Sequence, residues 1–243
     1  MSETARPGSI VGSAIATLVA FAILCGLGVW QIERKAWKEN LIATLDTRLV
    51  AAPELVPPAS QWPNLQQGRD EYRRVALNVE FERGKDALVY AAASAFRPDV
   101  KQQGFWVLSP ARLPAGGTVV IDRGYIPTSQ RDAIPPPPTG PVDLVGIMRW
   151  PEMSGMFTPT PDLAHGVWYA RDIAAIAAAK NWGPVAPFSI EQESPQRPDA
   201  PKVGKLVVNL PNNHLQYIIT WFGLAAGLLG VYGVWLVRRL RGR

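Results

Sequence analysis

Two histidines occur in the 243-residue chain. One of them, His214, stands where a turn-rich segment, Asn209-Leu-Pro-Asn-Asn213, runs into an uncharged apolar stretch. Tyr217, Ile218 and Trp221 follow at spacings of three, four and seven residues, which an α-helix places on one face. Near a helix N-terminus, and partly withdrawn from water, an imidazole is disfavoured in its protonated form. A neutral ring can bind a metal, and an aromatic, apolar face beside it can lie against a flat macrocycle. The competing reading is an interfacial anchor, because aromatic residues gather at membrane surfaces in any case.

The elements that must position this histidine are legible around it. Pro211 stops any preceding strand, and Asn212 and Asn213 are expected to cap a helix by accepting its free N–H groups. From His214 to Val237 there are 24 residues without a charge, enough to cross a hydrocarbon core of about 30 Å. Ser9–Trp30 is a second uncharged run, of 22 residues. It exceeds the apolar core of a cleaved signal peptide and reads as an uncleaved anchor. No Arg/Ser-rich leader precedes it, which favours a bacterial inner membrane over an organelle. Gln31–Leu45 continues that helix, with Trp30, Trp37, Leu41 and Leu45 near helical spacing.

The net charge of +5 does not indicate nucleic acid. Arg238, Arg239, Arg241 and Arg243 crowd the C-terminus, whereas residues 31–213 hold 20 basic against 19 acidic residues. The cluster is a topology signal that puts both termini in the cytoplasm and the segment between the spans in the periplasm. Arg34, Lys35 and Lys38 after the first span point the other way and are outvoted. The single cysteine, Cys25, lies within the first span, so the middle domain has neither a disulfide nor a thiolate metal site.

Residues 51–63, with four prolines, are expected to be extended and non-helical. Beyond them the periodicity becomes strand-like. Runs recur at Arg73–Phe81, Ala87–Ala92, Phe105–Ala111, Thr118–Tyr125, Val142–Met148, Val167–Ala170, Phe188–Glu191 and Lys205–Asn209. Gly116-Gly117 reads as a hairpin turn, Pro135–Pro138 as a stiff connector, and Asp172 as the cap of a helix over Ile173–Lys180. The expected architecture is a membrane-anchored α+β protein. Two transmembrane helices flank a mainly antiparallel β domain, barrel- or sandwich-like, with one short helix. Its segments are 1–8, a cytoplasmic start; 9–30, the first span; 31–63, a juxtamembrane helix and Pro-rich linker; 64–213, the β-rich domain; 214–237, the second span; and 238–243, the basic tail.

Small residues line both spans: Gly12, Ala16 and Ala20 in the first, Thr220, Gly223, Gly227 and Gly230 in the second. Such ridges let helices approach closely in lipid, so that either the two spans pack on each other or one face is kept for a partner's helix. If the spans pair, Trp30, Gln31 and Arg34 come to the level of His214. Arg34 then either holds an anion such as a propionate or snorkels to a lipid phosphate. Met148, Met153 and Met156 with His165 offer soft donors for copper(I), against ordinary loop packing. No nucleophile motif, paired histidines or phosphate-cradling loop is present, so no enzymatic activity is expected.

Six stretches carry a resemblance to a known family. They are Leu27-Gly-Val-Trp30-Gln31-Ile-Glu-Arg34, Gly104-Phe-Trp-Val-Leu-Ser-Pro110, Asp122-Arg123-Gly124-Tyr125-Ile-Pro127, Arg149-Trp-Pro-Glu152 with Phe157-Thr-Pro159, Trp168-Tyr-Ala-Arg171-Asp172, and Asn212-Asn-His214-Leu-Gln-Tyr217-Ile-Ile-Thr-Trp221-Phe222. In order and layout the chain resembles the surfeit locus protein 1 family, membrane proteins that assist assembly of haem-copper cytochrome c oxidase. The resemblance implies a non-enzymatic assembly factor in which His214 binds haem a as an axial ligand. Tyr217, Trp221, Trp30, Gln31 and Arg34 are then candidates around the cofactor, and Arg123, Gly124 and Tyr125 candidates for partner docking. The implied partner is the large haem-bearing oxidase subunit, with haem a synthase a further candidate. Tyr125, Asp122 and Ser109 depart from the family's usual Trp, Asn and Thr. A scaffold that never touches cofactor, and a copper carrier, are the alternatives.

Overall fold

The computed structural model describes residues 7–92, 97–207 and 212–242. In chain order the helices are α1 (Pro7–Val50), α2 (Gln67–Asp70), α3 (Ile173–Ala179) and α4 (His214–Arg241). The strands are β1 (Glu54–Leu55), β2 (Arg74–Phe81), β3 (Ala87–Ala91), β4 (Gly104–Arg112), β5 (Thr118–Pro127), β6 (Pro141–Arg149), β7 (Val167–Trp168) and β8 (Ser189–Ser194). The chain divides into two compact units, Met1–Ala43 with Leu210–Arg243, and Thr44–Asn209.

The first unit consists of α1 as far as Ala43 together with α4. Both helices contain stretches long and apolar enough to cross a membrane. Their apolar side chains point outward: Ile15, Leu18 and Ile23 on α1, and Ile219, Leu224 and Val231 on α4, are each more than half exposed. That much exposed hydrocarbon suits lipid and not water, and marks the chain as membrane-anchored. Arg238, Arg239 and Arg241 occupy the last turn of α4, where the helix dipole favours cations.

The two helices touch, but not through the glycine ridge that the sequence suggests. The Phe222 ring lies on Gly28 so closely that a Cβ there would come within 2.7 Å of it. At Gly223, Gly227 and Gly230 a Cβ would meet nothing within 4 Å. Instead of a seam, Gly223 and Gly227 border an open apolar groove of about 600 Å³ shared with Ala20, Ile23 and Leu24. The aromatic ring of Phe222 supplies the closer fit, since it finds a flat hollow where Gly28 has no side chain.

In the second unit the strands run in the order β1-β2-β6-β8-β5-β4-β3-β7, and β2 also pairs with β4 through Glu80–Arg112 and Phe81–Ala111. That extra pairing closes β2, β6, β8, β5 and β4 into a small barrel, with β3 and β7 carried outside it. Most pairings are antiparallel; β1–β2, β3–β7 and β5–β8 are parallel. Inside the barrel sit Val75, Leu77, Val79, Ile121, Leu144, Met148, Phe188 and Ile190. A second core packs Val89, Trp106, Leu108, Val120 and Trp168 against Ile173 and Ile176 of α3. Strands β4 and β5 are covered on both faces, which is why they read as continuous apolar runs.

Local expectations hold at several points. The β4–β5 hairpin turns at Gly116 and Gly117, both at positive φ, and Asp172 Oδ1 accepts from Ala175 N at 3.1 Å to cap α3. Three expectations fail. Residues 51–63 are not uniformly extended, because Ala59–Asn64 forms a 3-10 helix containing Pro63. Trp62 draws that turn inward: its Nε1 donates to Pro57 O at 3.0 Å and its ring meets Phe188 edge-on. Residues 205–207 form no strand, and the rest of that run, with Pro211, lies outside the described residues. Neither asparagine caps α4 as expected. Among the described residues, Asn213 makes no side-chain bond at the helix start, and Asn212 Oδ1 is buried without a partner.

Candidate functional site

His214 is the first residue of α4, and its Nδ1 lies 2.7 Å from Oε1 of Gln31 on α1. Gln31 is 8% exposed, the only buried polar side chain of α1 among the described residues. An amide oxygen only accepts, so with this oxygen facing the ring Nδ1 carries the proton and donates it. In the tautomer that donates from Nδ1 the lone pair stays on Nε2, which has no hydrogen bond among the described residues. Fixing one ring nitrogen through a hydrogen bond so that the other can ligate is how proteins orient histidine toward metals.

The remaining predicted residues divide. Tyr217 and Trp221 share the His214 face of α4; Tyr217 is 52% exposed, while the indole N–H of Trp221 is buried without an acceptor among the described residues. Trp30 precedes Gln31 on α1 and is 54% exposed. Arg34 is turned along its own helix, with its guanidinium 4.0 Å from the centroid of the Trp37 ring. A free imidazole nitrogen, accessible aromatic rings and an orphaned indole donor are the donor set that a haem with polar substituents needs. The residues present fit such a group.

The Asp122–Tyr125 turn has a different character. Gly124 has φ +114°, and a Cβ there would come within 2.5 Å of Lys202 O. Tyr125 exchanges two backbone hydrogen bonds with Lys202, and its hydroxyl donates to the carbonyls of Gln102 and Gln103. Gly124 and Tyr125 are therefore occupied in packing the 202 segment onto β5. Arg123 is buried beside Asp86, 3.3 Å away, donates to Pro135 O, and lines a cleft. Burial pushes its guanidinium pKa down, against the pull of Asp86.

Asp122 faces the opposite way, into a buried charge cluster that sequence reasoning missed. Arg171 lies 3.2 Å from it, and Arg149 3.1 Å from Glu191. Arg97, 1% exposed, is 3.8 Å from Glu191 and forks onto Asp99. The guanidiniums of Arg97 and Arg171 both stand over Trp106, 5.4 and 4.9 Å from its centroid. Burial pushes the Asp122 carboxyl up to about 7, against the pull of Arg171. The available signal was a set of charges at inward positions of apolar runs: Asp122 after Val-Val-Ile, Glu191 after Ser-Ile, and Arg149 after Gly-Ile-Met.

The copper arrangement does not form. Met148 is fully buried in the barrel, Met153 and Met156 are 78% and 93% exposed, and the His165 ring is bound by Asp162 at 2.6 Å.

Comparison with known proteins decides the family. The SURF1 family matches residues 18–226. The chain belongs to the SURF1 family. It is 32% identical over 235 residues to Surfeit locus protein 1 of Rattus norvegicus, covering 89% of this chain and 73% of that protein. It is also 32% identical to Surfeit locus protein 1 of Homo sapiens over 236 residues, covering 89% and 74%. The SURF1-like protein of Monosiga brevicollis is 32% identical over 233 residues, covering 89% and 84%. The span matched to the SURF1 family includes Gln31, the barrel, His214 and Trp221.

Proposed function

We propose that this SURF1-family protein is a non-enzymatic assembly factor for haem-copper cytochrome c oxidase that receives haem a at His214. The observation that carries the reading is the 2.7 Å bond from His214 Nδ1 to Gln31, which leaves Nε2 free to ligate. When bound, haem iron supplies the Lewis acid to which Nε2 donates its lone pair. Tyr217 and Trp30 offer ring faces, and Trp221 an N–H donor, to the macrocycle and its polar substituents. Gln31 holds the imidazole in one tautomer and orientation.

The setting we propose is a bacterial inner membrane with both termini cytoplasmic and the barrel domain periplasmic. The arginines in the last turn of α4 support that orientation. His214, at the opposite end of α4, then stands at the outer interface. The partner is the large haem-bearing oxidase subunit, with haem a synthase as the source of cofactor. Haem content of protein purified from haem a-producing cells tests the reading. Wild type carries haem and His214→Ala loses it; equal content in both rejects the role of His214.

A second reading, favoured by the packed barrel and the cleft beside Arg123, is a scaffold that stabilises an oxidase assembly intermediate without binding cofactor. Under that reading, oxidase maturation fails when the barrel surface is altered, while His214→Ala has no effect.

A further inference from the structure

On the barrel, away from the buried charge cluster, lies a cleft of about 250 Å³. Its floor is Phe81, Leu144 and Arg123. One wall is Pro136 and Pro138, and the other is the 195–201 segment, which carries Pro195 and Pro201. Gln192 secures that second wall by donating to Pro195 O at 2.9 Å. Both walls are proline-rich, so their shape is largely set before anything binds and little entropy is lost on binding.

Two guanidiniums serve this cleft. Arg123 is 3% exposed, and the one carboxylate that forms an ion pair with it among the described residues, Asp86, is 3.3 Å away on one edge. Arg197 at the rim has no ion pair among the described residues, and its positive charge acts on Arg123 to lower the Arg123 pKa further. Asp199 shares the rim and, like Arg197, is exposed, so water screens both rim charges and the buried Arg123 guanidinium is the dominant charge in the cleft. An anion between the two cations would relieve their repulsion and gain charge-assisted hydrogen bonds. The volume is below the roughly 300–1,000 Å³ of small-molecule sites and suits one or two side chains of a protein segment.

We propose that this cleft is a docking site for an extended segment of a partner protein, taking an apolar side chain over Phe81 and Leu144 and a carboxylate between Arg123 and Arg197. The inference stands apart from the haem reading, because no residue of the first unit takes part in it.

The test uses the whole chain in detergent micelles, titrated with acetyl-Pro-Phe-Glu amide and with its glutamine isostere, and read by calorimetry. The glutamate peptide should bind about tenfold tighter than the glutamine peptide, a difference of ~1.4 kcal/mol. Arg197→Ala, at an exposed position, should cut that preference to about threefold. Ala200→Trp, which fills the cleft from its loop wall, should abolish binding of both peptides, with thermal unfolding confirming that the variant folds. Equal affinity for the two peptides, an unchanged preference in Arg197→Ala, or no binding at 10 mM peptide would overturn the proposal.

Discussion

Gln31 and His214, 183 positions apart in the chain, share a 2.7 Å hydrogen bond between side chains of two apolar helices. A polar pair in such a setting is expensive unless each partner satisfies the other, so its presence needs a reason. Orientation of the imidazole is one, and it leads to the first prediction. Gln31→Leu removes the acceptor at nearly constant volume, frees the ring to change tautomer, and should weaken haem binding about 10–100-fold. Gln31→Glu retains an acceptor, strengthens donation from Nδ1, and should keep haem while lowering the iron reduction potential. A haem titration with redox potentiometry checks both. If Gln31→Leu binds haem as tightly as wild type, orientation through Nδ1 is not what Gln31 provides.

The helix pair makes a second prediction by contrast of two glycines. Gly28→Ala puts a methyl 2.7 Å from the Phe222 ring and should destabilise the pair by about 1–3 kcal/mol in detergent unfolding. Gly227→Ala meets nothing within 4 Å and should be neutral or slightly stabilising through helix propensity. The reverse order would mean that the glycine ridge, and not the Phe222 contact, holds the helices together.

Asp122 and Asp70 should give stability opposite pH dependences. Burial raises the folded-state pKa of Asp122 from 3.8 to about 7. The folded protein therefore retains a proton that the unfolded chain has released between about pH 4 and 7. The contribution of Asp122 is full below pH 4, declines as pH rises through that window, and is gone above it. Urea unfolding of wild type and Asp122→Asn across pH 4–8 should show the wild-type advantage shrinking with rising pH. A difference that grows with pH would contradict the burial argument.

For Asp70, burial works upward, but hydrogen bonds from Arg69, Gln66 N–H and Arg73 together outweigh it and bring the carboxyl down to about 2. Its stabilisation is present above about pH 4 and is lost as pH falls toward 2. Asp70→Asn should therefore cost stability at pH 6 and much less at pH 2, measured by thermal unfolding at both. An equal cost at the two pH values would assign the role of Asp70 to shape and not to charge.

What could be read in the sequence was what local chemistry determines. A charge-free run beginning at His214 announced α4, Asp172 announced α3, and the paired glycines at 116 and 117 announced the β4–β5 hairpin. The barrel closure was hidden, because Phe81 and Ala111 are brought together by the sheet's curvature and not by any motif near either. The 3-10 turn through Pro63 was hidden for the same reason, since Phe188, far along the chain, is what Trp62 packs against. Helical spacing placed His214, Tyr217 and Trp221 on one face, and the level of the spans brought Gln31 near. The contact of the Arg34 guanidinium with Trp37, one turn along the same helix, was not read from the sequence, because the rotamer of a long side chain is not set by spacing alone.

Ligation of haem iron by His214 can be measured directly. With only two histidines in the chain, His165→Ala leaves His214 as the sole imidazole. Resonance Raman spectra of that variant, purified ferrous and haem-loaded with and without 15N-histidine, isolate the iron–imidazole stretch. The account predicts a low-frequency band that shifts with the label and disappears in His214→Ala. A haem spectrum indifferent both to the label and to loss of His214 would contradict it.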